Sequence, residues 1–270
     1  MKRAESRRLA VGLEYDGTRY AGWQQQPGLP SVQACLQQAL SGVADHPVVA
    51  VGAGRSDAGV HAVGQVAHFD TTAERPLRGW VLGANSLLPS DIAVQWAREV
   101  EPGFHARHSA LARSYRYCWL VRPTRPAILR DRACWVRTGL DARAMHAAAQ
   151  ALLGEHDFSS FRAVECQSPT PMRRIDAISV QPTTGLVTLE ISANAFLHHM
   201  VRNIAGTLLE VGTGERAPDS MAATLAARDR TQAGVTAPAC GLYLWRVDYA
   251  PALGIPRGEP LAPWAMIADA

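Results

Sequence analysis

The sequence predicts a mixed α/β protein of the α+β class, made of two βαββαβ halves. Three observations carry this expectation. Short alternating apolar runs recur along the chain, helix-spaced apolar runs separate them in the same order twice, and turn residues bracket one clear hairpin.

In the first half Leu9, Val11, Leu13 and Tyr15 alternate up to Asp16-Gly17, which predicts a strand over 9–15. Ser31 is placed to cap a helix in which Val32, Cys35, Leu36, Ala39, Leu40 and Val43 keep helical spacing. Strands follow at 48–53 and 65–69. A helix at 75–86 tolerates Gly79 and Gly83, and Ile92, Val94 and Trp96 mark a strand over 92–99.

The second half repeats the order. A strand over 112–121 puts Tyr115, Tyr117, Trp119 and Val121 on one face, and Asp141 begins a helix that ends at Gly154. Ile175–Val180 and Leu186–Ile191 bracket Thr183-Thr184-Gly185 as a hairpin. Residues 196–211 predict a strong helix, 220–228 a shorter one, and Leu242–Tyr249 the last strand. Units of this order are ferredoxin-like, each an antiparallel sheet with helices on one face, and two can join into one extended antiparallel sheet. The expected organisation is an N-terminal half over 1–103, a C-terminal half over 104–250, and an extended tail over 251–270. That tail carries Pro256, Pro260, Pro263 and Trp264 as its anchor.

With 270 residues the chain can bury a full core. A net charge of +3 decides nothing, but Lys2 is the only lysine against 26 arginines, which makes a surface rich in planar forks suited to phosphate. The five cysteines are scattered without a C-x-x-C pair, so neither a disulfide framework nor a zinc ribbon is expected. The apolar run Leu9–Leu13 is too short for a signal-peptide core and no segment is long enough to span a membrane, so the expected location is cytoplasmic. P-loop, G-x-S-x-G and G-x-G-x-x-G words are absent, which removes support for nucleotide hydrolysis and dinucleotide chemistry.

The most informative stretch is Gly54-Arg55-Ser56-Asp57-Ala58-Gly59-Val60-His61-Ala62, directly after an apolar run. Its glycines permit a tight turn and close approach by a large ligand, and Arg55 favours an ionised Asp57. The alternative is an ordinary turn in which Asp57 bonds its own backbone. Between Phe104 and Arg137 lie eight arginines and a single acid, Asp131, interleaved with Phe104, Tyr115, Tyr117, Trp119 and Trp135. Arginines for phosphate beside aromatic stacking faces are the footprint of RNA binding. Tyr117 and Trp119 read better as core residues.

In the helix expected over 196–211, His199, Arg202, Asn203 and Gly206 share one polar strip. A charge on an otherwise buried helix needs a partner, and Asp57 is the natural candidate for Arg202. A metal held by His198 and His199 is disfavoured, because adjacent helical residues point to different sides and no H-E-x-x-H spacing accompanies them.

Seven words in order resemble the tRNA pseudouridine synthase A family. They are Glu14-Tyr15-Asp16-Gly17-Thr18 with Gly22-Trp23-Gln24, the Asp57 loop, Phe104-His105-Ala106-Arg107, Ser114-Tyr115-Arg116-Tyr117, Asp157-Phe158-Ser159-Ser160-Phe161, Phe196-Leu197-His198-His199-Met200-Val201-Arg202-Asn203 and Gly241-Leu242-Tyr243-Leu244. The resemblance implies an isomerase that converts uridines 38, 39 and 40 of the tRNA anticodon stem-loop to pseudouridine, as a homodimer, without cofactor or metal. It implies Asp57 as nucleophile, attacking either ribose C1′ or uracil C6. Arg55 would serve base flipping, Tyr115 would stack on the uracil and be a candidate proton acceptor, and Arg202 would pair with Asp57. Arg75, the segment Phe104, His105, Ala106, Arg107 and His108, and the segment Glu165, Cys166, Gln167, Ser168 and Pro169 match tRNA-contacting positions. Ser56 stands where the family usually has Thr; it keeps the hydroxyl, so little effect is expected. Glu165 and Pro169 depart from a segment that is commonly basic, which puts its contribution to binding in doubt. The rivals are a non-catalytic RNA-binding module of the same fold, a metal-dependent hydrolase using His61, His198 and His199, and a purely structural dimer, which would leave the arginine and aromatic cluster unexplained.

Overall fold

The computed structural model describes residues 6–183 and 185–257. Thr184 of the expected hairpin turn, and Pro260, Pro263 and Trp264 of the expected tail, lie outside the described residues. The described chain has ten strands and five α-helices, and it groups into two compact units, 6–111 with 244–257 and 112–243.

The first unit follows the expected order: β1 (Arg7–Tyr15), α1 (Val32–Ala44), β2 (Val51–Gly52), β3 (His61–Thr71), α2 (Leu77–Leu87) and β4 (Ile92–Val100). β1 is central, antiparallel to both β3 and β4, with Val11 opposite Ala67 on one side and Ala97 on the other. Its run from Leu9 to Leu13 is buried, and the Trp96 indole lies where a side chain at Gly12 would go. The strand β10 (Leu242–Tyr249) starts in the second unit and ends in the first, where it neighbours β3. α1 starts as the sequence predicts, with Ser31 Oγ accepting from the Ala34 N–H at 3.4 Å.

One expected strand shrinks. The strand is confined to Val51 and Gly52, with Ala53 N–H still donating to Val66 O of β3, because side chains of α1 take over the preceding backbone. Ser41 Oγ accepts from Val48 N–H, Gln37 Oε1 accepts from Ala50 N–H, and Gln33 Nε2 donates to Ala50 O.

The second unit contains β5 (Ala110–Val121, from Ala112 on), β6 (Cys134–Val136), α3 (Ala142–Ala149), β7 (Gly154–Asp157), β8 (Met172–Thr183), β9 (Leu186–Ala193), α4 (Met200–Gly212) and α5 (Ser220–Ala227). Strand order is β5-β9-β8-β7 with antiparallel pairing, and β6 runs parallel to β5, so the sheet is mixed. The helix expected to reach Gly154 stops at Ala149, continues as a 3-10 turn to Leu152, and Gly154 at φ +94° opens β7. No helix of the described residues is long and apolar enough to cross a membrane. All five cysteines are free thiols.

Candidate active site

The Asp57 loop in the first unit is held by the sequence words that precede it. Trp23 N–H donates to Ser56 O at 3.0 Å, and Gly59 N–H donates to Tyr20 O at 3.3 Å. Within the loop, Val60 N–H returns to Asp57 O at 3.2 Å, with Gly59 at φ +77°. Gly22 adopts φ +100°, and a Cβ there would stand 2.4 Å from Ser56 O. Only glycine supplies that conformation and that closeness together. Gly17 makes a second such approach: a Cβ there would stand 2.0 Å from Val60 O, while its N–H donates to His61 Nδ1 at 3.1 Å.

Side chains complete the cradle. The buried Tyr15 hydroxyl bonds Ser56 Oγ at 2.8 Å. Burial pushes the Tyr15 phenol up to about 12, against hydrogen bonds from Ser56 and Gln65 that favour the phenolate. Gln65, fully buried on β3, donates Nε2–H to Gly54 O at 2.7 Å and accepts from Gly54 N–H at 3.3 Å. Trp23 packs against Gly52 and its ring lies 6.1 Å from that of Tyr15. Asp57 is half-buried and Arg55 is exposed. The Ser56 hydroxyl is thus an anchor, so the exchange of Thr for Ser retains the group that matters.

Two further stretches of the first unit carry expected contacts. Arg75 is exposed, with its guanidinium donating to Val43 O and Glu74 O. In the segment after Pro102, Phe104 and Ala106 are core residues: Phe104 packs on Tyr249, and Ala106 O accepts from the Tyr249 hydroxyl at 2.7 Å. The side chains left to meet a ligand are therefore His105, half-buried, and the exposed Arg107 and His108. Arg8 pins this turn by donating to Pro102 O and Phe104 O while pairing with Asp70 at 2.7 Å. The rings of His68, His105 and His108 follow one another at 4.6 and 4.2 Å.

In the second unit, Tyr117 and Trp119 are fully buried with rings 4.9 Å apart, and Tyr117 donates to Pro238 O. They are core residues, as expected. Tyr115 is half-buried and meets Phe196 edge-on at 4.9 Å. Arg116 is paired with Glu190 across β5 and β9, which leaves Arg122, Arg125, Arg130 and Arg137 as the exposed arginines of the cluster in this unit.

The helix expected to start at Phe196 starts at Met200 instead. His199 stands at its N-cap in the left-handed region, φ 60°, and Met200 N–H closes a turn on Leu197 O. The expected polar strip turns out to be largely buried. Asn203 is fully buried, donating to Phe161 O and accepting from the Thr236 hydroxyl, and Gly206 lies against Val235 O. Arg202 alone of the strip's interior stays half-exposed, with Nε donating to Ala237 O at 2.8 Å. His198 and His199 do not point to different sides, because they precede the helix; their rings lie 4.0 Å apart.

The 163–170 loop is stapled from beneath. Arg162 donates to Cys166 O and Ser168 O, and Arg173 donates to Ser168 Oγ. Cys166 is buried, with Sγ accepting from His198 N–H at 3.4 Å, whereas Glu165, Gln167 and Pro169 are exposed and Ser168 is half-buried. Sequence reasoning missed Arg162 and Arg173, which bond Cys166 O, Ser168 O and Ser168 Oγ within an irregular loop, and Gln65, which bonds the backbone of Gly54; none of these contacts has a periodic signature.

Comparison with known proteins agrees with the seven words. A family model described as tRNA pseudouridine synthase matches residues 13–109 and 148–250. The chain is 54% identical to tRNA pseudouridine synthase A of Coxiella burnetii over 257 residues, covering 95% of this chain and 98% of that protein. It is 56% identical to tRNA pseudouridine synthase A of Aeromonas hydrophila over 256 residues, 95% of each. It is 53% identical to that of Methylococcus capsulatus over 250 residues, 93% and 92% respectively. On that extent of identity the chain belongs to the tRNA pseudouridine synthase family.

Proposed function

We propose that this chain isomerises uridines 38, 39 and 40 in the anticodon stem-loop of tRNA, with Asp57 as the nucleophile. As a member of its family it is an isomerase acting on tRNA. The observation that carries the finer reading is the Asp57 loop. Its carboxylate stands half-open on a loop whose backbone is fixed by Gly22, Trp23, Tyr20 and Gln65. A nucleophile on a tightly held turn loses little orientational freedom when substrate arrives.

The chemistry asks three things of the remaining residues. The target base leaves the helical stack, at a cost of a few kcal/mol, and exposed Arg55 fills the gap or grips the backbone. The detached uracil is retained by stacking on Tyr115, which is also the candidate for taking the C5 proton. Arg202 is assigned to pair with the carboxylate and orient it. Atoms balance without an external reagent: the C1′–N1 bond breaks, the C1′–C5 bond forms, and the C5 proton leaves as N1 gains one. His105, Arg107, His108, Arg75 and the 165–169 segment are assigned to the tRNA backbone, and the acting species is a cytoplasmic homodimer.

Mapping pseudouridine in tRNA transcripts tests the assignment. Conversion at positions 38–40, lost one position at a time as each uridine is replaced by cytidine, is the expected result. Conversion elsewhere, or none, would remove the anticodon-arm assignment.

A further inference from the structure

Tyr15, Ser56 and Gln65 all meet immediately before Asp57, and all within the first unit. The Gln65 amide closes on both backbone groups of Gly54, donating to its carbonyl at 2.7 Å and accepting from its N–H at 3.3 Å. Its Oε1 also accepts from Val66 N–H at 3.2 Å. Two residues further along the loop, the Tyr15 hydroxyl takes the Ser56 hydroxyl at 2.8 Å. Gln65 and Tyr15 are both buried, so each polar atom must find a partner inside the protein, and these partners are the loop itself.

We infer that Gln65, through Gly54, and the Tyr15–Ser56 hydroxyl pair position Asp57 for the isomerisation. The inference rests on Asp57 being the nucleophile. The Gln65 amide holds the loop through both backbone groups of Gly54, and the Tyr15 hydroxyl holds it through the Ser56 side chain, so the backbone is fixed on both sides of Arg55 just ahead of Asp57. None of the three side chains touches the reacting atoms; they are positioning residues.

Tyr15→Phe and Ser56→Ala each remove one oxygen and leave the packing in place. The test measures single-turnover rate at saturating tRNA, tRNA affinity and melting temperature for both, for the double variant, and for Ser56→Thr. Each single variant is expected to lose about tenfold in rate with affinity within about twofold of wild type. The double variant falls no further than the slower single, because both remove the same bond. Ser56→Thr recovers most of the rate lost in Ser56→Ala. Wild-type rates in the single variants, or losses that multiply in the double, would overturn the inference. So would losses that appear in affinity or melting temperature alone. Asp57→Ala is run alongside: if it turned over normally, the nucleophile assignment would fail, an outcome separate from all of these.

Discussion

The Asp57 loop and the 163–170 loop are both short, both carry polar residues expected to meet tRNA, and are built in opposite ways. The first is gripped through its backbone by buried groups, with glycines at points where no side chain fits. The second is propped by the two guanidinium groups of Arg162 and Arg173, while its own side chains mostly face solvent and Val164 is 91% exposed. On the proposed function, the difference separates a position that must be exact to a fraction of an ångström from one that needs only to be present. Chemistry asks for the first; gripping a backbone phosphate tolerates the second.

The largest effect should come from breaking the tighter loop. Gly22→Ala places a methyl 2.4 Å from Ser56 O in a backbone region foreign to alanine. We expect about 2–4 kcal/mol of lost stability, read by chemical denaturation, with turnover falling alongside. Stability within about 0.5 kcal/mol of wild type would mean that the loop yields and the contrast is overstated. Next comes Arg55→Ala. Arg55 is exposed and no backbone anchor depends on it, so the melting curve should stay put while turnover falls about 10–100-fold. Normal kinetics would demote Arg55 to a turn residue.

On the looser loop the effect should be smaller and of another kind. Arg162→Ala removes the bonds to Cys166 O and Ser168 O. It should weaken tRNA binding about threefold to tenfold, at one to two lost hydrogen bonds, with the saturated rate unchanged. A fall in saturated rate instead would show that this loop also orders the chemistry.

The segment after Pro102 offers a pH test. His68 Nδ1 accepts from Ala106 N–H at 3.1 Å, which needs the neutral ring. Burial, then the nearby His105 and Arg8, lower its pKa from 6.5 to about 4. The unfolded chain therefore takes up a proton near 6.5 that the folded chain refuses until about 4. Stability present above pH 6.5 is lost as pH falls through that window. Thermal melts of wild type and His68→Gln between pH 7.5 and 5 should converge at the acid end, and parallel curves would contradict this. The smallest effect belongs to exposed Arg107: its alanine variant should flatten the salt dependence of tRNA affinity by about one unit of slope. An unchanged slope would take Arg107 off the phosphate backbone.

Much of the first unit was legible because its signals are local. Ser31 caps α1 where a cap residue must stand, and Gly17, Gly22 and Gly59 mark places where the chain turns or approaches itself. The start of α4 was not legible. Leu197 and Met200 are buried as helical spacing demands, yet a turn at His199 in the left-handed region serves the same burial. Periodicity reports which side chains are inside, not the backbone path between them. β6 and β7, three and four residues long, were missed because so short a run cannot display alternation. The 48–50 stretch failed as a strand because α1 side chains, remote in any local reading, took its hydrogen bonds.

The most direct test of the Asp57 assignment measures tritium release from tRNA labelled at uridine C5, for wild type and Asp57→Ala, with tRNA binding measured on both. Release by the wild type alone, with binding retained by the variant, is the predicted result. Equal release from both would contradict the placement of Asp57 at the reacting bond.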